Sequence, residues 1–385
     1  MRTRTKIIIA FAVVAAAVLL FLYWPGHQYM RQALIHWYPK IDQYPIFENR
    51  TVRAGDPQPW PMAGDYGKRR IDERFQADFD RYETVAFVVV HRDSLLFEQY
   101  WNGYGPESRS NSFSMAKSVV SLLVGAALDD GLITSVEQPV SDFLPEFGEY
   151  GGKEMTVEDL LTMSAGVEWD EGYSGLFSLT TEAYYGNDIV AQTKRIRQNT
   201  EPGRTFYYQS GVTQILALIL ETVTGKTLSQ YASEKLWTPI GAEQDALWSL
   251  DHQDGFEKAY CCFNSNARDF ARLGQLVLRE GVWKGKEVVS AGYIRQATTP
   301  ASRLTNARGE PNREYGYQFW ILEYDGMTIP YFRGILGQYI FVIPEKETVI
   351  VRLGHQRKEE RFPPYYYPSD IDIWLAAGLD IVSQQ

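Results

Sequence analysis

The stretch Ser110-Asn-Ser-Phe-Ser-Met-Ala-Lys-Ser-Val-Val-Ser-Leu-Leu-Val-Gly-Ala-Ala-Leu128 changes character half-way along. Its first half is small and polar, and Ser108, Ser110, Asn111 and Ser112 offer caps for a helix start. Its second half is apolar all round, which predicts a buried helix rather than a surface one. Ser114 and Lys117 stand at the junction, three positions apart and so on one helix face. A serine hydroxyl is a weak nucleophile until a neighbour takes its proton. A lysine can do so when burial keeps it neutral. N–H groups at the helix start can help to hold an oxyanion. Ser-x-x-Lys is short, and a capping serine beside a solvated lysine would give the same letters. Here Val119, Val120, Leu122, Leu123 and Val124 follow at once, broken only by Ser118 and Ser121, so Lys117 has no wet face.

Upstream, Thr84–Val90 and Leu95–Tyr100 read as strands joined by a turn over 91–94, after a helical pattern around Lys68–Tyr82. Downstream, residues 132–290 are mostly helical. Thr156 and Asp159 form a capping-box pattern, Gln214–Thr224 is an apolar helix closed by Gly225, and Ala267–Gly281 is another helical pattern. Strands return at Tyr315–Glu323, Met327–Phe332, Gln338–Ile343 and Thr348–Leu353, and Asp370–Val382 is a terminal helix. This order predicts an α+β fold in which N- and C-terminal strands share one antiparallel sheet and a helical block is inserted. The Ser114 helix would lie between the two, beside a cleft.

The N-terminus carries an address. Arg2, Arg4 and Lys6 precede an apolar run from Ile7 to Trp24, about the length of a membrane-spanning helix. The basic residues predict a cytoplasmic N-terminus and an exported remainder. Phe21-Leu-Tyr-Trp-Pro25 offers no clear small-x-small cleavage site, which favours an uncleaved anchor over a signal peptide. The expected organisation is therefore an anchor over 1–24, a stalk over 25–64 that wraps onto the domain, and a domain over 65–385. A formal net charge of -10 argues against nucleic acid as a partner. The adjacent Cys261 and Cys262 read as two small buried residues without a disulfide. His27, His36, His91, His252 and His355 are scattered and show no metal-ligand spacing. No metal or cofactor is expected.

Two further pieces complete a candidate site. Glu201-Pro-Gly-Arg-Thr-Phe-Tyr-Tyr-Gln-Ser-Gly211 is a loop running into a helix, and a phenol from Tyr207 or Tyr208 could relay a proton beside a lysine. Arg333-Gly-Ile-Leu-Gly-Gln338 leads into a strand, and its glycines permit close backbone approach to a ligand. Together with Ser114-Met-Ala-Lys117, these pieces resemble the serine β-lactamase and penicillin-binding protein superfamily. They resemble more closely its class C-like esterase and amidase branch, which includes the 6-aminohexanoate-dimer hydrolases. The resemblance spans residues 65–380. Tyr208-Gln-Ser210 is similar to the family's Tyr-x-Asn/Ser motif, Thr156–Gly166 to its following helix and loop, Asn264–Asp269 to the segment before its Arg-Asp helix, and Gly334–Gln338 to its last motif. By resemblance, Ser114, Lys117 and Tyr208 would be catalytic. The Ser114 and Ile335 N–H groups would form the oxyanion hole. Ser210, Tyr173, Asn264 and Gly334 would meet the substrate.

Two departures matter. Arg333-Gly334-Ile335 stands where β-lactamases have Lys-Thr-Gly, and Ser210 stands where they have Asn. Both remove groups that grip a β-lactam. The expected activity is cleavage of a small-molecule ester or amide through an acyl-enzyme on Ser114. The alternatives are a D-amino-acid peptidase or weak β-lactamase on cell-wall peptides, and a non-catalytic envelope binder of the same fold. A Ser-His-Asp lipase is disfavoured because no Gly-x-Ser-x-Gly elbow occurs.

Overall fold

The structure, a computed structural model, describes residues 2–150, 152–173, 175–359 and 367–384. In chain order the elements that position the site are α1 (Arg2–Leu22), α2 (Gln28–His36), β1 (Asn49–Val52), α3 (Glu73–Arg81), β2 (Thr84–His91), β3 (Ser94–Tyr100), β4 (Ser110–Asn111), α4 (Met115–Asp129), α5 (Leu179–Tyr185), α6 (Ser210–Thr224), β5 (Ala246–Ser249), β6 (Phe263–Ser265), α7 (Ala267–Leu278), β7 (Trp320–Tyr324), β8 (Met327–Gly334), β9 (Gln338–Ile343), β10 (Thr348–Gly354) and α8 (Ile371–Ser383).

The main sheet has the antiparallel order β7-β8-β9-β10-β2-β3. The N-terminal hairpin thus joins the C-terminal strands through β2 and β10, with Val88 opposite Val351 and Val90 opposite Val349. β2 is apolar at nearly every position because both of its faces are covered. Val88 and Val90 join the core that contains α4 and α7, while Phe87 and Val89 join the core under α3 and α8. Alternate residues face opposite sides of a strand, so one continuous apolar run feeds two cores. α7 lies close on the sheet at Gly274, where a Cβ would fall 2.5 Å from Val349 and 2.7 Å from Ile340.

Every residue of α4 from Met115 to Ala127 is buried. The helix runs between β8 of the sheet and α6 of the inserted block, so it has no solvent face to make amphipathic. A second, four-stranded sheet, β1-β5-β6-β4, holds the chain just before it.

Several boundaries and one covalent expectation are corrected. α3 begins at Glu73 rather than near Lys68, because the Asp72 side chain caps it by accepting from the Arg74 N–H at 2.9 Å. α6 begins four residues before Gln214, at Ser210, whose N–H is held by a carboxylate from another loop. Residues 315–319 are not strand: Gln318 has φ 60°, and the Gly316 N–H turns back to the Phe319 carbonyl. Residues 25–64 pack onto the domain, where α2 buries Tyr29, Met30 and Ala33 and β1 pairs with β5. Cys261 and Cys262 are buried as expected but joined by a disulfide. Their turn is fixed from outside. Trp248 Nε1 donates to the Cys261 carbonyl, and the Cys262 N–H, at φ 66°, donates to Asn111 Oδ1. α1 is long and apolar enough from Thr3 to Leu22 to cross a bilayer, and none of it is buried in the domain.

Candidate active site

Ser114 sits at the N-terminal cap of α4, directly after Phe113, whose φ of 44° is left-handed. A non-glycine residue tolerates that conformation only where neighbours enforce it. Here Asn111 Oδ1 accepts from the Phe113 N–H at 2.8 Å. The Ser114 hydroxyl does not cap the helix. It accepts instead from Lys117 Nζ at 3.0 Å. Lys117 is 1% exposed, and its Nζ also donates to the Tyr260 carbonyl at 2.9 Å. Burial disfavours the ammonium and lowers its pKa to about 8, and the nearby Glu171 carboxylate offsets part of that fall. An amine so tuned is available as a base near neutral pH.

Tyr208 arrives from the loop before α6. Its ring stacks on Trp320 at 5.2 Å and meets Tyr315 edge-on at 6.0 Å. Lys117 Nζ lies 5.1 Å from its ring centroid. Burial pushes the phenol pKa up and Glu171 raises it further, while the facing Ser114 hydroxyl pulls the other way. Burial and Glu171 together thus favour the neutral phenol. Tyr207, the other candidate at this turn, is exposed.

The end of β8 closes the corner from the other side. A Cβ at Gly334 would fall 2.3 Å from the Ser112 carbonyl oxygen, so the two backbones meet only because residue 334 has no side chain. Ile335 follows and borders both clefts that reach Ser114. The turn behind it is gripped by buried Arg352, which donates to the carbonyls of Leu336 at 3.0 Å and Gly337 at 2.8 Å.

Glu171 links the remaining residues. Ser210 Oγ donates to it at 2.5 Å, the Ser210 N–H at 2.7 Å and the Tyr173 hydroxyl at 2.6 Å. Its carboxylate thus also meets the N-terminus of α6, where a negative charge is favoured. Residue-by-residue reading passed over Glu171. Asp170 and Glu171 are adjacent acids, and only the folded loop selects which one turns inward. Asn264 is turned elsewhere: its Nδ2 donates to the Leu247 and Cys262 carbonyls and to Ser249 Oγ, and it borders neither cleft. The wall position nearby belongs to Tyr260 and Cys261.

Two clefts of opposite character meet at Ser114. One is small, about 30 Å³, largely apolar, and lined by Pro39, Phe113, Tyr184, Tyr185, Tyr260 and Cys261. The other, about 300 Å³, is lined by Glu171, Tyr208, Trp320, Arg333 and Arg357. Arg333 is buried there and stacks 3.8 Å over Trp320.

A family model described as Beta-lactamase matches residues 71–370, which include every residue of this corner except Pro39. The chain belongs to the beta-lactamase family. Within that family it is 30% identical over 291 residues to a 6-aminohexanoate-dimer hydrolase of Paenarthrobacter ureafaciens, covering 70% of this chain and 72% of the relative. A candidate 6-aminohexanoate-dimer hydrolase structure from Bacillus anthracis superposes with a TM-score of 0.75 at 24% identity, over 89% of this chain and 92% of that one. A family VIII carboxylesterase superposes with a TM-score of 0.62 at 19% identity, over 83% of this chain and 98% of that one. At such identities the two structures speak for the fold alone. This beta-lactamase family member has the α+β fold of β-lactamases and transpeptidases and is a hydrolase.

Proposed function

We propose that the protein is a serine hydrolase that cleaves an ester or amide through an acyl-enzyme on Ser114. The observation that carries this reading is Lys117 Nζ 3.0 Å from Ser114 Oγ, buried and with a pKa lowered to about 8. Neutral Lys117 takes the Ser114 proton as Oγ attacks the carbonyl carbon. The N–H groups of Ser114 and Ile335 stabilise the oxyanion, and the Ser114 N–H has no backbone acceptor of its own among the described residues. Tyr208, a neutral phenol, gives its proton to the departing oxygen or nitrogen and regains one from the Lys117 ammonium. Water then attacks the acyl carbon by the reverse relay and frees Ser114. Tyr173 and Ser210, both bonded to Glu171, line the clefts and orient the substrate. Gly334 lets the oxyanion corner close.

α1 anchors the enzyme in a membrane, with Arg2, Arg4 and Lys6 of its first turns on the cytoplasmic side and the domain outside. A replacement of Ser114 tests the chemistry. Ser114→Ala should abolish turnover of p-nitrophenyl esters and short amides and label no longer with a fluorophosphonate probe. Equal turnover by variant and parent would end the assignment.

A further inference from the structure

We infer that the corner made by α1 and α2 lies in the headgroup layer of a lipid bilayer, and that the site draws amphiphilic esters or amides from that layer. The inference rests on the anchor and hydrolase readings above and adds the physical class of the substrate.

The corner is built firmly. Arg31 of α2 donates to the Leu22 carbonyl at the end of α1, and its guanidinium lies 4.6 Å over the Tyr23 ring. His27 Nδ1 donates to the Phe21 carbonyl at 2.8 Å, and its ring lies 4.4 Å from that of Phe21. The last carbonyls of a helix have no intrahelical donor, and these two side chains supply one. α2 has nine residues, so its far end lies within about 14 Å of its start. Whatever holds α1 in a bilayer therefore holds α2 at its surface.

One side of α2 is buried on α5. The other side leaves Leu34 45%, Ile35 71% and, just beyond the helix, Trp37 78% exposed. With exposed Tyr23 and Trp24 they extend the apolar surface of α1 onto the domain. Aromatic and aliphatic side chains grouped in this way are characteristic of the membrane interface.

The same corner leads to the nucleophile. Pro39, two residues after Trp37, lines the apolar cleft beside Ser114. α5, the support of α2, contributes Thr181, Tyr184 and Tyr185 to that cleft, and the Tyr185 hydroxyl donates to the Trp37 carbonyl at 3.3 Å. The apolar cleft presents Pro39, Tyr184 and Tyr185 to the apolar end of a substrate. The charged cleft across Ser114, with Arg333 and Glu171, suits a polar remainder. A molecule with one apolar and one polar end, cut between them, matches both clefts and the surface beside them.

The test uses the full chain in phosphatidylcholine vesicles, with p-nitrophenyl laurate in the bilayer and p-nitrophenyl acetate in the water. The double variant Ile35→Glu, Trp37→Glu should lose about a hundredfold on the laurate, the order set by burying two large side chains, and keep the acetate turnover. Brominated phosphatidylcholine should quench less tryptophan fluorescence in Trp37→Phe than in the parent. Equal rates on the laurate, or equal losses on both esters, would overturn the inference, as would unchanged quenching. A parent that cleaves neither ester sinks the hydrolase reading, and a chain that does not float with vesicles sinks the anchor reading. Either result takes this inference with it.

Discussion

Lys117 and Glu171 oppose each other in the site. Burial lowers the lysine pKa, and the carboxylate raises it again in part. In the proposed mechanism Lys117 acts only when neutral, so kcat/KM should fall as pH drops below about 8, approaching tenfold per pH unit on the acid limb. Removing the anion in Glu171→Gln takes away the raising influence, so the midpoint of that limb should move to lower pH. A pH series of initial rates on a soluble ester checks both statements, and an unmoved midpoint would show that Glu171 does not act on Lys117. At this scale the Ser114–Lys117 pair was legible because a spacing of three is a local matter. Tyr208 was legible only through resemblance. Nothing local distinguishes it from Tyr207, and the choice is made by Trp320 and Tyr315, more than a hundred positions away. Glu171 escaped notice for the same reason. Asn264, read by resemblance as a substrate contact, spends its amide on the backbone of its own sheet.

Among the elements, the end of β8 depends on contacts it does not itself provide. Gly334 passes the Ser112 carbonyl at a distance that admits no Cβ, and both partners are backbone. Gly334→Ala must push β8 away from the Ser114 corner. A shift of about 1 Å at an oxyanion donor costs on the order of a hundredfold in rate, so kcat/KM should fall by about that much while the fold persists by circular dichroism. Parent-like kinetics would mean that Ile335 is not a donor. The strands and helices were readable from periodicity. Their ends were less so, since tertiary partners set them. Asp72 delays α3, Glu171 advances α6, and the buried aromatics of 315–319 displace the start of β7.

For the whole molecule, the inserted block contains a second buried lysine outside the site. Lys258 Nζ donates to the Tyr184 carbonyl at 2.8 Å and lies 4.4 Å over the Phe47 ring. Desolvation lowers its pKa to about 7, with Asp251 opposing. In the unfolded chain a lysine titrates near about 10.4. Between these values the unfolded state binds more protons than the folded one, so stability rises with pH. Lys117, lowered to about 8, acts in the same sense. The thermal midpoint should therefore climb from pH 7 towards 9, and Lys258→Met should flatten that climb whatever it does to the midpoint itself. An undiminished slope in the variant would show that Lys258 is charged in the fold.

Taken alone, the order of residues determined the α+β class, the buried helix after Ser114 and the pairing of early with late strands. These follow from hydrophobic period and from short spacings, which are properties of neighbouring residues. Tertiary structure alone decided which acid faces the site, that Pro39 joins its wall, that the two cysteines are joined, and that an apolar cleft and a charged one meet at a single hydroxyl. Those outcomes depend on which distant side chains share a desolvated space, and no local pattern encodes that.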